Sequence, residues 1–196
     1  MSFVTFIVPS IGRSTLDRTL HSLVVQTDRD WTALVVMDAV RNFTASVKDP
    51  RIVTLRLQEK LGRSENGDHH AGFVRNYGIG LVVSEWCGFV DDDDRVDPNY
   101  VACLRREVPG NDLVVFRMEY RPCREDGVRI LPRSSRVEGM GPGEVGISFA
   151  VKTVFQKQHD VWFDSIEFED WIFIRSCLAA GARCKVSDTV AYYVRH

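Results

Sequence analysis

The sequence predicts an α/β fold with a mostly parallel central sheet flanked by helices. Two observations carry that expectation. Short continuous apolar runs, the mark of strands buried on both faces, alternate with stretches of helical periodicity through the first half of the chain. Polar and acidic residues then stand just past the ends of those runs, where ligands dock on such sheets.

The first run is Phe3 to Val8, closed by Pro9. Ser14 reads as a helix N-cap, with Leu16, Leu20, Leu23 and Val24 forming one helical face behind it. Trp31 to Met37 is a second buried strand ending at Asp38, and Ile52 to Leu57 is a third. Residues 58–70 are polar and contain glycine, so they read as a loop. Ala71 to Val83 is expected to be a helix with Phe73, Val74, Tyr77 and Leu81 facing inward, although Gly78 and Gly80 weaken it. Trp86 to Val90 is a fourth strand that runs straight into Asp91-Asp92-Asp93-Asp94. The second half is less regular. It predicts a helix over Pro98 to Glu107 with Pro98 in its first turn, and a strand over Leu113 to Tyr120. Arg121 to Ile130 reads as a hairpin turning at Glu125-Asp126-Gly127, and residues 132–146 as a mobile loop. Then come a helix over Asp170 to Ala180 closed by Gly181 and late strands over Ala182 to Val186 and Val190 to Val194. With no internal repeat, low-complexity tract or linker, residues 1–196 read as a single domain.

Composition narrows the function classes. The chain is 44% hydrophobic and 27% charged with a net charge of −2, an ordinary globular balance without the basic footprint of nucleic-acid binding. No polybasic run offers an anionic membrane a partner, and no stretch approaches the roughly 20 apolar residues that span a bilayer. The five cysteines include no pair at C-x-x-C spacing, so reduced thiols and a cytoplasmic setting are expected rather than disulfides or zinc. The acidic run after the fourth strand is the strongest chemical signal. Packed carboxylates repel one another unless a cation or strong donor sits among them, and oxygen-only ligands select hard cations such as Mg²⁺ or Mn²⁺. Taken alone, the same run is equally the composition of a solvated acidic turn. An EF-hand loop is excluded, because Arg95 and Val96 stand where an oxygen ligand and glycine are needed.

Five segments share a wider pattern: Phe6-Ile7-Val8-Pro9-Ser10-Ile11-Gly12-Arg13, Leu20 to Thr27, Gly72 to Ile79 around Arg75-Asn76-Tyr77-Gly78, Phe89 to Pro98, and Glu169-Asp170-Trp171. In that order they resemble the inverting glycosyltransferases of family 2, which have the GT-A fold. The resemblance extends from residue 3 to about residue 195, and it implies the following roles. Pro9 and Ser10 lie in the nucleotide-binding turn, and Asp38 pairs with the donor base, uracil by preference. The Val-Val-Met-Asp-Ala-Val sequence around Asp38 departs from the family's usual Asp-Asp-Gly-Ser, which leaves the base open. Arg75 lies near the base or phosphates. Asp91 and Asp92 hold the ribose and the metal's water shell, Asp93 ligates Mn²⁺ or Mg²⁺, and Asp94 hydrogen-bonds locally. Asp170 is the general base, while Glu169 shares its helix start and is an alternative orienter of the acceptor. His196 either completes the metal shell or is a frayed terminus. Arg13 and Arg63 are possible helpers at the leaving group. His69 and His70 read as solvated loop residues outside the catalytic set. Trp162, Phe163 and Trp171 are either an acceptor platform or core.

The function implied is metal-dependent inverting transfer of a sugar from a nucleotide-sugar donor, by preference a UDP-sugar, to a hydroxyl of a glycan or other acceptor. A further domain or partner is a candidate to present that acceptor. Two alternatives remain at this level: a sugar-nucleotide pyrophosphorylase, and a non-catalytic nucleotide-sugar or glycan-binding module cut from a larger protein.

Overall fold

The computed structural model describes residues 1–62, 70–121, 127–164 and 167–194. The strands of its first half lie where the apolar runs predict, although the third, on the sheet's edge, has no buried residue where burial was expected. Strands β1 (Val4–Ser10), β2 (Trp31–Met37), β3 (Ile52–Arg56) and β4 (Trp86–Phe89) pair in the order β3-β2-β1-β4, all parallel. β1 and β4 are buried along their whole length, which is why they read as unbroken apolar runs rather than alternating ones. The chain steps outward from β1 to β2 and β3, then returns to the other side of β1 for β4. The winding direction therefore reverses between β1 and β4, and a crevice opens there beyond the strands' carboxyl ends.

Helix α1 (Leu16–Val24) buries Leu16, Leu20 and Leu23 as its spacing demands. Its N-cap is Thr15 rather than Ser14, and no side chain caps the first turn. Helix α2 (Gly72–Leu81) corrects the expected face. Phe73, Tyr77 and Leu81 are exposed at 44%, 45% and 52%, and the buried residues are Gly72, Val74, Arg75, Gly78 and Ile79. The cause is close approach: a Cβ on Gly78 would lie 2.7 Å from Ile7 Cγ2 of β1. Turning the aromatic face inward would push the helix off the sheet by a side chain's width. Gly78→Ala is accordingly expected to cost about 1–3 kcal/mol of stability by overpacking, read as a lower denaturant midpoint. An unchanged midpoint would mean that Ile7 yields and the contact is not tight.

The second half adds β5 (Arg95–Val96), α3 (Tyr100–Glu107), β6 (Leu113–Tyr120), β7 (Arg129–Leu131), β8 (Phe149–Lys152), α4 (Thr153–Gln158), α5 (Glu169–Ala179) and β9 (Cys184–Tyr193). The two expected late strands are one ten-residue strand. β8 was not expected, yet it joins the two halves of the sheet, antiparallel to both β4 and β6. It emerges directly from the Gly- and Pro-rich segment, and four residues are too few to show a period. The two residues of β5 carry no sequence signal at all. The β6–β7 pairing, Met118 with Leu131 and Tyr120 with Arg129, brackets the expected hairpin, while Glu125 and Asp126 of its turn lie outside the described residues. The segment expected to be a mobile loop is irregular apart from one 3-10 turn, Val137–Gly139, but Met140 and Val145 are buried and anchor it. Below the crevice, Phe89, Phe149, Phe163 and Phe173 form one aromatic cluster, with the Phe163 and Phe173 rings 4.4 Å apart. This cluster seats α5 against β4. No helix among the described residues is long and apolar enough to cross a membrane. Cys87, Cys103, Cys177 and Cys184 are free thiols, and Cys123 lies outside the described residues.

Candidate active site

Past the end of β4 the four aspartates turn tightly, with the Asp94 N–H donating to Asp91 O at 3.1 Å. Alternate members face opposite ways. Asp92 is buried and accepts from Ser10 Oγ at 2.7 Å, Ile11 N–H at 3.3 Å and Arg13 Nη1 at 3.1 Å. Asp94 is buried and accepts from the Tyr192 hydroxyl at 2.8 Å, while that same hydroxyl accepts the Asp91 N–H at 3.1 Å. Burial and the Asp94 charge push the Tyr192 phenol well above its ordinary range, so it stays protonated as the donor. Arg18 and Thr19 of α1 hold the backbone carbonyls of Asp93 and Asp94 at 2.8 and 2.7 Å. Asp91 and Asp93 stay about a third exposed (32% and 31%). Burial, reinforced by the Asp91 and Asp92 charges, raises the Asp93 carboxyl. Arg13 Nη1, 2.6 Å from Asp93 Oδ2, works against that rise.

The buried face of α2 sends Arg75 into the same crevice. Its side chain is 3% exposed, and its two terminal nitrogens are divided between two carboxylates. Nη2 donates to Asp91 Oδ1 at 2.5 Å and Nη1 to Glu169 Oε1. The guanidinium lies over the Phe163 ring, 5.3 Å from its centroid. Burial opposes the charge, but Asp91, Glu169 and Asp170 outweigh it and hold the group protonated. Asn76, the next residue, exchanges two hydrogen bonds with the Phe163 backbone at 2.8 and 2.9 Å, fixing the segment that leads into α5.

Helix α5 opens with Glu169 and Asp170. Each has one buried carboxylate oxygen with no hydrogen-bond partner among the described residues, Oε2 and Oδ1 respectively. Burial pushes the Asp170 carboxyl up to about 7; the Arg75 charge opposes this, and the Glu169 and Asp91 charges add to it. Phe168, immediately before, sits at φ 51°, and Ala39, immediately after Asp38, at φ 58°. Left-handed backbone at residues with side chains costs about 1–3 kcal/mol and persists only where the surroundings enforce it.

At the far end, Asp38 is buried, and its two oxygens accept the Leu61 and Gly62 N–H groups at 2.7 and 3.1 Å. The Gly62 carbonyl in turn accepts the His70 N–H at 3.1 Å. A Cβ on Gly62 would lie 2.7 Å from His70 O and 2.8 Å from Asp38 Oδ2, so only glycine fits this strap. A cavity of about 220 Å³ runs from Asp38, Gly62 and His70, past Pro9 and Ser10, to Asp91, Arg75 and Glu169.

The sequence of this site has relatives. Residues 5–138 match the family model of Glycosyl transferase family 2. The chain belongs to that family. The succinoglycan biosynthesis protein ExoO of Rhizobium meliloti (strain 1021) is 26% identical over 214 residues, covering 96% of this chain and 59% of that protein. The chain thus spans 59% of the length of this curated relative. Among solved structures it is similar to S. aureus TarS, with a TM-score of 0.74 and 19% identity over 100% of this chain and 37% of that one. TarS residues 1–349 in complex with UDP-GlcNAc give the same TM-score and identity, covering 100% of this chain and 59% of that one. The fold is the GT-A fold.

In this family 2 member the crevice gathers Pro9, Ser10, Arg13, Asp38, Arg75, Asp91, Asp92 and Glu169 along one cavity, with Asp93 bound to Arg13 beside it. Three expectations change in detail. Arg75 was expected at the base or phosphates, but its fork is committed to Asp91 and Glu169. Both Asp38 oxygens are already engaged by backbone amides. Phe163 is 2% exposed and packs the core, so it cannot be an acceptor platform; Trp162 and Trp171 are half-buried. Arg63, His69 and His196 lie outside the described residues. Two residues that tertiary contacts bring into the site carry no local signal. Tyr192 reaches the aspartate turn from 98 residues away, and His70 reads as a solvated loop residue yet lines the cavity wall.

Proposed function

We propose that residues 1–196 form one GT-A catalytic domain. Its reaction is metal-dependent transfer of a sugar, with inversion, from a nucleotide-sugar donor to a hydroxyl of a glycan or other acceptor. The observation that carries this reading is one juxtaposition. At the switch point between β1 and β4, a turn of aspartates meets a carboxyl, Asp170, whose proton affinity lies near neutrality. The UDP-GlcNAc complex of TarS supports a UDP-sugar as donor.

Along the cavity the base takes the Asp38 end, and the diphosphate takes the end lined by Asp91 and Arg75. The donor set at the aspartate turn fits a hard divalent cation. It is all carboxylate, and Asp93 carries a repulsion from Asp91 and Asp92 that a cation relieves. Among the described residues no three His, Cys, Asp or Glu converge as a cage. Mg²⁺ sites generally use one or two carboxylates and complete the shell with substrate phosphates and water. Asp93 would hold Mn²⁺ or Mg²⁺ there with Asp91 at its water shell, while Asp92, whose oxygens accept from Ser10, Ile11 and Arg13, would brace the turn. The ion supplies Lewis-acid stabilisation of the departing nucleoside diphosphate. Arg13, half exposed and already on Asp93, adds positive charge beside the same oxygens.

On the acceptor side Asp170 takes the proton of the attacking hydroxyl. A carboxyl ionising near 7 is well matched to that task, being ionised about half the time at neutral pH yet basic enough to accept the proton. Arg75 holds Glu169 in place, leaving its free oxygen to orient the acceptor. Attack from the face opposite the diphosphate gives inversion.

The test is calorimetric titration of UDP-sugars and GDP-sugars with and without Mn²⁺, on wild type and Asp93→Ala. Binding that needs the metal and weakens at least about tenfold in the variant is expected. Metal-independent binding, unchanged in Asp93→Ala, would remove the metal from the mechanism. Failure to bind any nucleotide sugar would leave the non-catalytic module as the reading. Release of pyrophosphate from a nucleoside triphosphate and a sugar phosphate would select the pyrophosphorylase.

A further inference from the structure

The Asp38 end of the cavity holds one polar atom that the aspartate chemistry leaves unused. His70 Nε2 is buried and has no hydrogen-bond partner among the described residues. The other polar groups described around it are committed. The Asp38 oxygens accept Leu61 and Gly62 N–H, and the Gly62 carbonyl accepts the His70 N–H. The His70 backbone is therefore anchored to a strap that is itself pinned by a buried carboxylate. A buried imidazole nitrogen left unpaired is costly, so an occupant that offers it a partner gains affinity.

Position along the sheet identifies the part of a nucleotide that would arrive there. Gly62 follows β3, Asp38 follows β2, and the aspartate turn follows β4 on the far side of β1. Neighbouring strands lie about 4.8 Å apart, so Asp38 at the end of β2 stands about 10 Å from the aspartate turn at the end of β4, and His70 is tied to the Asp38 side through Gly62. With a diphosphate at the aspartates, an extended nucleotide brings its base, not its phosphates, to the His70 end. Neutral imidazole presents one donor and one acceptor, and pyrimidine edges differ in which of these they offer at each position, so a ring held in one tautomer distinguishes them.

We propose that His70 Nε2 hydrogen-bonds the nucleobase of the donor and sets the base preference of the site. This rests on the nucleotide-sugar reading above and assigns a base-reading group beyond Asp38, whose oxygens are already occupied. The test uses the full chain with Mn²⁺, comparing wild type, His70→Ala and His70→Gln in titrations with UDP, CDP and inorganic pyrophosphate. His70→Ala is expected to weaken UDP about tenfold, to shrink the difference between UDP and CDP, and to leave pyrophosphate unchanged. His70→Gln, which keeps a donor and an acceptor, is expected to recover part of the UDP affinity; should His70→Ala not fold, this variant's UDP-to-CDP ratio decides alone. Undiminished UDP affinity or an unchanged UDP-to-CDP ratio overturns the proposal. So does a loss of pyrophosphate equal to the loss of UDP, which would place the ring at the diphosphate. A wild type that binds UDP while His70→Ala binds it equally well sinks only this assignment. A wild type that binds no nucleotide sinks the donor reading with it.

Discussion

Asp170→Asn is expected to lower transfer by a factor of about 10²–10⁴ and, at pH 8, to make the protein more stable than wild type. The two effects share a cause. In the folded chain Asp170 ionises near 7, against 3.8 for the unperturbed carboxyl, because burial penalises its charge. The folded state therefore holds this proton more tightly than the unfolded one. The group's contribution to stability is complete below about pH 4 and is lost as pH rises through about 7. Asparagine never ionises, so it escapes that loss. Its advantage should be present in melting temperatures at pH 8 and vanish near pH 4. The wild-type rate should likewise rise along an acid limb centred near pH 7, as the base loses its proton. Undiminished transfer by Asp170→Asn would end its assignment as the base. A stability difference independent of pH would end the account of its ionisation.

The second large effect is at Arg75. Arg75→Leu is expected to destabilise the fold by about 3 kcal/mol, because Asp91 and Glu169 lose the cation that compensates them. Their partial exposure keeps the cost at the lower end of what breaking a buried pair involves. The loss should be larger at pH 8 than at pH 5, since Arg75 also restrains the rise of Asp170, which holds its proton at pH 5 and no longer needs the cation there. Arg75→Lys keeps the charge but not the fork. A single ammonium cannot reproduce both of the arginine's contacts, so its denaturant midpoint should fall between the other two. A midpoint for Arg75→Leu equal to wild type at pH 8 would show that the bridge contributes nothing to folding.

Much of this molecule is legible from its residues in order. The positions of the four strands of the first half, the leucine face of α1 and the aspartates beyond β4 follow from apolar runs, helical spacing and the chemistry of packed carboxylates, although the edge strand β3 has no buried residue where burial was expected. These are local properties, and burial on both faces of a parallel sheet makes them plain. The order of the motifs also resembles the family to which the chain belongs. The face of α2 was misread for a physical reason. Periodicity ranks Phe73, Tyr77 and Leu81 as the buried side, but the helix approaches β1 so closely that glycine is the residue that fits. β5 and β8 are too short to show a period, and pairing with distant strands creates them.

The chemistry divides in the same way. Residue type marked the run Asp91 to Asp94 as a cation site, and the resemblance to the family marked Glu169 and Asp170 and left Asp94 to bond locally. Only the tertiary structure decided that Asp92 and Asp94 are buried while Asp91 and Asp93 stay about a third exposed. It alone joined Arg75 to Asp91 and Glu169, and brought His70 to the wall of the cavity. Those outcomes depend on partners such as Ser10 for Asp92 and Tyr192 for Asp94, 82 and 98 residues apart in the chain. A carboxylate's orientation and proton affinity are set by what surrounds it in space. Sequence specifies the groups that carry charge, and the packing of distant segments determines which of those charges are neutralised and which remain free to act.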